Sequence, residues 1–309
     1  MQPGRVHYMR PKLKTAAVTT TPTPSSSPPR VAALLFGINY TGTDAELQGC
    51  VRDVQNVAAF LRTKLRFPPE SIVTFTDAGA GAGAGAETRH GTTRRGIMEQ
   101  LTELARRSAA LDFIWLHYSG HGTWRRDGVG TAGDEPDGRD ECWVPSDFAT
   151  AGVIPDDEIG AALRAFAPTT RIFFVSDSCY SGTVADLPYA WRVDGRSGVQ
   201  KFRGSLSSST SSSTVPKLPR IIALSGCLDT QTSADAYGLD ATAPTSYSGA
   251  LTTTLLRVLQ EWPLARYSAF YAAARVAAAL RARRFSQIPL LSASYELTAA
   301  DDIYARPVQ

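Results

Sequence analysis

The chain has 309 residues, 20% of them charged, and a formal net charge of +3. That length suits one large α/β domain with flexible segments, and the charge gives no electrostatic footprint for nucleic acid. No apolar run reaches the roughly 18 residues that a membrane-spanning helix needs, so no membrane contact is expected.

Residues 1–30 carry a Pro/Ser/Thr tract, Thr19 to Pro29, which cannot bury a core and is expected to form an extended, mobile arm. The arm lacks the roughly 7–15-residue apolar core of a secretory signal. It is basic (Arg5, Arg10, Lys12, Lys14), with Asp44 the first acid, which leaves organelle targeting as a second reading. The four cysteines, Cys50, Cys142, Cys179 and Cys227, form no C-x-x-C pair. In a chain of this length they describe neither a disulfide framework nor a zinc site, and reduced thiols in the cytoplasm are the economical expectation.

Val31 to Gly37 reads as a buried strand, and the loop Asn39–Gly42 follows. Val51, Val54, Val57, Ala58, Leu61 and Leu65 recur at helical spacing, predicting an amphipathic helix from Cys50 that Pro68-Pro69 stops. Ile72–Phe75 is a second strand. Ala78–Ala86 alternates Ala and Gly and lacks the Lys-Ser/Thr of a phosphate loop, so it reads as a flexible insertion. Thr92 or Thr93 can cap a helix reaching about Ala109. Leu111–Tyr118 is a third strand, and it delivers His121 into the turn Ser119-Gly120-His121-Gly122.

A carboxylate-rich, Gly-rich loop follows, with Asp127, Asp134, Glu135, Asp137, Asp140 and Glu141. Asp156-Asp157-Glu158 opens a helix to about Phe166. Arg171–Val175 is a strand buried on both faces that stops in small polar residues and delivers Cys179. By itself that stretch fits a buried structural thiol as well as a nucleophile. Residues 192–219 read as a loose Ser-rich linker whose Arg192, Arg196, Lys201, Arg203 and Lys217 offer sites for self-cleavage. Arg220–Ser225 is a fifth strand, helices follow near Ser248–Glu261 and Tyr267–Arg284, and a last strand lies near Leu290–Ser294.

Strands alternating with helices predict a mainly parallel central sheet of about six strands with helices on both faces. The carboxyl ends of parallel strands share one edge, so His121 and Cys179 are expected in one crevice. A free thiol, with a pKa near 8.5, is only slightly ionised at neutral pH and needs a partner base. His121 can take the thiol proton, and backbone N–H groups at Gly122 and before Cys179 can stabilise an oxyanion. His117 sits inside its strand, where a structural hydrogen bond is the expected role. Asp177 would raise a neighbouring thiol's pKa, the wrong direction for activation. With Asp53 it instead predicts selection of an Arg or Lys side chain. The acidic loop and the Asp156–Asp157 pair suit a hard cation such as calcium, or simply a solvated face. A Cys-x₅-Arg phosphate cradle is absent, since position 185 is Ala.

Gly37–Tyr40, Leu47–Asp53, Tyr118–Gly122, Gly133–Glu141, Pro145–Phe148 and Asp177–Gly182 resemble the large catalytic region of metacaspases. Ser225–Asp235 resembles their small region and Ser286–Ser292 its closing motif, and the Pro-rich arm resembles type I members. The resemblance implies a caspase–haemoglobinase fold, with a large region over 31–191, the linker over 192–219 and a small region over 220–309. It implies a Cys179–His121 dyad that cleaves proteins or peptides after Arg or Lys, with Cys50, Asp53, Ser119 and Asp177 lining the specificity pocket. It further implies calcium activation through Asp140, Asp156, Asp157 and Asp186. Tyr180 departs from the family's His after the nucleophile. A monomer is expected, and a non-catalytic scaffold acting in partner binding or protein quality control is the alternative.

Overall fold

A computed structural model describes residues 28–78, 90–126, 139–179, 185–194, 198–203, 218–226, 235–237, 247–261 and 266–305. The arm up to residue 27, most of the Ala/Gly insertion, the centre of the acidic loop, Tyr180, Cys227 and most of the Ser-rich stretch lie outside the described residues.

In chain order the strands are β1 (Val31–Gly37), β2 (Ile72–Thr76), β3 (Phe113–Ser119), β4 (Gly122–Arg126), β5 (Arg139–Trp143), β6 (Ile154–Pro155), β7 (Arg171–Asp177), β8 (Tyr189–Asp194), β9 (Gly198–Arg203), β10 (Arg220–Ser225), β11 (Asp235–Tyr237), β12 (Tyr247–Gly249), β13 (Arg266–Ser268), β14 (Leu290–Ala293) and β15 (Asp302–Ala305). The α-helices are α1 (Cys50–Thr63), α2 (Arg94–Arg107), α3 (Phe148–Ala151), α4 (Asp156–Arg164), α5 (Ala250–Gln260) and α6 (Ala269–Ala282).

The central sheet has eight strands in the order β2-β1-β3-β7-β10-β14-β8-β9. The first five are mutually parallel and the last three antiparallel. The inner strands are continuous apolar runs because each face meets its own layer of helices. Val31, Ala33 and Leu35 of β1, Phe113 and Trp115 of β3, and Phe173 and Val175 of β7 pack with α1, α5 and α6. The alternate residues Leu34, Phe36, Ile114, Leu116, Ile172 and Phe174 pack with Ile97, Leu101 and Leu104 of α2 and Ile159 and Leu163 of α4. The strand period of two thus divides the protein into two cores. The order reverses between β1 and β3, so the crevice beyond their carboxyl ends is the topological switch point.

Three expectations are corrected. The sheet has eight strands where about six were expected, and residues 192–194 and 198–203 are not loose linker: β8 and β9 pair as an antiparallel hairpin from Tyr189↔Arg203 to Asp194↔Gly198. Buried Trp191 and Val193 anchor that hairpin into the α5–α6 core, which gives a polar-looking stretch a reason to order. Residues 139–143, read as acidic loop, form β5 and pair with β4 from Gly122↔Trp143 to Arg126↔Arg139.

Helix α2 starts at Thr93, whose Oγ1 accepts the Gly96 N–H at 3.1 Å. Thr93→Ala should therefore lower unfolding free energy by about 1 kcal/mol, read as a reduced urea midpoint at unchanged slope.

Candidate active site

The parallel register pairs Ser119 of β3 with Asp177 of β7, so His121 and Cys179 each lie two residues past the same rung. The Gly120 N–H reaches the Asp177 carbonyl at 3.4 Å and links the two strand ends. Beyond it the two turns close on each other: a Cβ at Gly122 would overlap the Cys179 carbonyl oxygen and lie 3.2 Å from the Cys179 nitrogen. Only glycine permits that approach. Cys179 is half-buried and outside any disulfide. Cys142, by contrast, is buried, and burial beside Asp156 pushes its thiol up to about 12, which makes it a poor nucleophile.

His121 is held from the α2–α4 side of the sheet. Its backbone N–H donates to Tyr40 Oη at 2.8 Å, and its carbonyl accepts from Tyr118 Oη at 2.8 Å. Both phenols also engage the Val144 carbonyl, at 2.7 and 3.0 Å. Tyr118 stacks on Trp143 with centroids 4.3 Å apart, and Trp143 Nε1–H donates to Ser176 Oγ at 3.1 Å. Burial holds both phenols well above their ordinary pKa, so they act as neutral hydrogen-bonding groups. The His121 ring lies 4.7 Å from the Tyr40 ring, and its Nε2 is 2.8 Å from the Ala45 carbonyl oxygen. A carbonyl only accepts, so Nε2 carries the proton and Nδ1 is the basic nitrogen of the neutral ring. No side chain marked this third group, because the contact is made by backbone of the loop after β1.

The other face of the same strands carries the carboxylates. Asp53 is fully buried on α1; Oδ2 accepts Ser119 Oγ–H at 2.6 Å, and both oxygens accept the Gly249 N–H, at 2.9 and 3.0 Å. Asp177 Oδ2 accepts the Thr252 N–H and Oγ1–H, each at 2.8 Å. A Cβ at Gly249 would overlap Asp177 Oδ2 and sit 2.5 Å from Asp53 Oδ2, so the two acids converge on that glycine. Cys50, buried at the first residue of α1, is one helical turn from Asp53. Structure therefore brings Asp53, Ser119 and Asp177 together, with Gly249 and Thr252, which sequence reasoning missed. Gly249 engages through its N–H, for which no side-chain pattern exists.

His117 lies two residues before Ser119 on the same face, fully buried, with Nε2 3.3 Å from Thr252 Oγ1. It is a core histidine, as its place in the strand predicted.

The four carboxylates assigned to calcium are not gathered. Asp140 on β5 accepts Arg125 Nε–H at 2.8 Å. Asp156 accepts the Glu141 N–H at 3.3 Å and the Asp157 N–H at 2.9 Å. Asp186, in the left-handed region at φ 46°, lies alongside Gly160 of α4. Their oxygen-only chemistry suits a hard cation. Among the described residues no three His, Cys, Asp or Glu side chains are grouped to hold a metal ion.

The family model described as metacaspase, peptidase C14 domain, matches residues 32–188. Metacaspase-1 of Mycosarcoma maydis is 33% identical over 301 residues, covering 86% of this chain and 70% of that protein. Metacaspase-1 of Scheffersomyces stipitis is 31% identical over 303 residues, covering 86% and 71%. The crystal structure of caspase-1 from Spodoptera frugiperda superposes with a TM-score of 0.52 at 14% identity, over 89% of this chain and 94% of that one, a likeness of fold.

Two outcomes are expected. Gly122→Ala should force the turns apart and slow alkylation of Cys179 by iodoacetamide at least tenfold relative to the intact site, about 1.4 kcal/mol, which quench-and-mass-spectrometry timing would read. Burial lowers the His117 pKa from 6.5 to about 3. The unfolded chain therefore binds the proton more readily, and this residue's stabilising contribution is full above pH 6.5 and declines as pH falls toward 3, by about 1.4 kcal/mol per unit. Urea midpoints of the wild type should fall more steeply between pH 6 and 4 than those of His117→Asn.

Proposed function

The chain belongs to the metacaspase family of cysteine peptidases, and on that premise we propose that it is an endopeptidase cleaving after Arg or Lys. The observation that carries this reading is that two faces of the sheet meet where β3 and β7 end. On one, Gly122 closes on Cys179; on the other, Asp53 and Asp177 converge on Gly249.

In this mechanism His121 Nδ1 takes the Cys179 proton, and the thiolate attacks the scissile carbonyl. The Gly122 N–H and the turn before Cys179 donate to the oxyanion as charge develops. The Ala45 carbonyl, accepting from Nε2–H, holds the ring and stabilises the imidazolium, which then returns its proton to the leaving amine. Water, deprotonated by the same nitrogen, hydrolyses the thioester and restores the thiol. The paired carboxylates favour a cationic side chain over an anionic one on Coulombic grounds, and two acceptors suit the guanidinium fork. Asp177 sits near the thiol at some expense to its ionisation, and substrate charge gives that expense a purpose.

Calcium stimulation is part of the proposal. Its support is the oxygen-only chemistry of Asp140, Asp156, Asp157 and Asp186 and the family resemblance, and the chemistry it supplies is neutralisation of carboxylates on the β4–β5 flank. Self-processing is a further part. Arg192, Lys201 and Arg203 stand in the β8–β9 ladder, where backbone cannot enter a protease cleft, so processing is expected at Arg196 or Lys217 instead.

The purified protein should hydrolyse coumarin peptides ending in Arg or Lys at least 100-fold faster in kcat/KM than the Asp-ended peptide, about 2.7 kcal/mol. Calcium should raise the rate over EDTA, and Cys179→Ala should lose about 10⁴-fold or more. Turnover that survives in Cys179→Ala, or equal rates on Arg and Asp peptides, would sink the reading. Mass spectrometry of calcium-treated protein should find new termini after residues 196 or 217 and none after Lys201.

A further inference from the structure

Helix α5 has no side-chain cap of its own, because Gly249 precedes it. The cap comes from across the sheet. Asp177 Oδ2 accepts the backbone N–H of Thr252, which is the third residue of α5, and negative charge is favourable at that end of a helix. Capping explains that one bond. It does not explain why Thr252 gives the same oxygen a second bond from Oγ1 at 2.8 Å, nor why a fully buried histidine stands behind it.

Proton counting orders these groups. A threonine hydroxyl has a single proton to give. Given to the carboxylate, the stronger acceptor, it leaves lone pairs on Oγ1, so the His117 nitrogen 3.3 Å away must be the donor. That sets the tautomer with the proton on Nε2 and none on Nδ1. Nδ1 is the atom without a hydrogen-bond partner, and a bare acceptor is the less costly group to leave orphaned in a core than an N–H. The direction of donation is therefore His117 Nε2–H to Thr252 Oγ1–H to Asp177 Oδ2.

We propose that His117 and Thr252 are positioning residues for recognition of the basic substrate side chain, a buried relay that holds the Asp177 carboxylate ionised and in one orientation. Two donors on Oδ2 stop rotation about the bond to the carboxyl carbon, which fixes the plane of the group and the direction of Oδ1. Charged acceptors gain about twice as much from such bonds as neutral ones. The relay crosses from the large region to the small one: β3 supplies His117, β7 supplies Asp177 and α5 supplies Thr252. This inference rests on the crevice being specific for Arg or Lys.

The test compares matched peptides ending in Arg and in citrulline, which has the same shape without the charge. Wild type should prefer Arg. Thr252→Val keeps the backbone N–H and the side-chain shape but removes the hydroxyl. It should lower the Arg-to-citrulline ratio in kcat/KM by about tenfold, mainly through KM for the Arg peptide, the worth of one hydrogen bond to a charged group. Thr252→Ser should restore the ratio. A purely structural role would slow both peptides alike and leave the ratio unchanged, which would overturn the relay. His117→Phe should give a smaller fall in the same ratio, and no fall would remove His117 from it. If Thr252→Val does not melt cooperatively, Thr252→Ala takes its place. A wild type indifferent to Arg against citrulline would instead overturn the specificity reading itself.

Discussion

Two carboxylates of like charge, Asp53 and Asp177, are packed in the interior against one glycine, and the arrangement around the crevice is shaped by what satisfies them. Like charges close together in a medium of low dielectric repel strongly and would ordinarily force one to take up a proton. Here the opening turn of α5 meets them with backbone N–H groups and the positive end of its dipole, through Gly249 and Thr252. The demand reaches backwards into the chain. It requires Gly at 249, because any Cβ would strike both acids. It sets α5 end-on to the carboxyl edge of β7, and so it couples the later part of the chain to the earlier part through the two carboxylates.

Strand alternation separates two tasks that must meet at one point. On β3, His117 and Ser119 face α1 and α5, whereas Tyr118 faces Trp143 on the opposite side. On β7, Asp177 joins the first group and Ser176 the second. One face thus carries the buried carboxylates, and the other carries the phenol–carbonyl scaffold that holds His121. The sheet itself is the partition, and the two sets of side chains come together only where β3 and β7 end.

Most of the sheet was legible in the sequence because β1, β3, β7 and β10 are buried on both faces and read as unbroken apolar runs. His121 and Cys179 were readable as candidates because each lies just past such a run. β4 and β5 were not, since their stability comes from cross-strand pairs such as Arg125 with Asp140 and from Arg139 over Trp124, and charged residues in a Gly-rich setting look like loop. β8 and β9 were hidden for a related reason: Arg192 and Asp194 break up the apolar residues of β8, and β9 sets Gln200, Lys201 and Arg203 among Val199 and Phe202. Asp53 and Asp177 were readable as a pair, whereas what holds them was not. Gly249 acts through its amide, and Ala45 through its carbonyl, and neither leaves a signature in residue type.

The β8–β9 hairpin changes what a break in the chain would mean. In the sheet order β7-β10-β14-β8-β9, strands from before residue 204 flank β10 and β14, which come after residue 217. A cut between those positions would leave two polypeptides interleaved like fingers of clasped hands, joined by the β7–β10 ladder on one side and the β14–β8 ladder on the other. Neither piece could leave without unzipping both. Severing the connection would therefore free a tether while leaving the quaternary unit whole, and the nicked species would behave in solution as an obligate heterodimer built from one gene product.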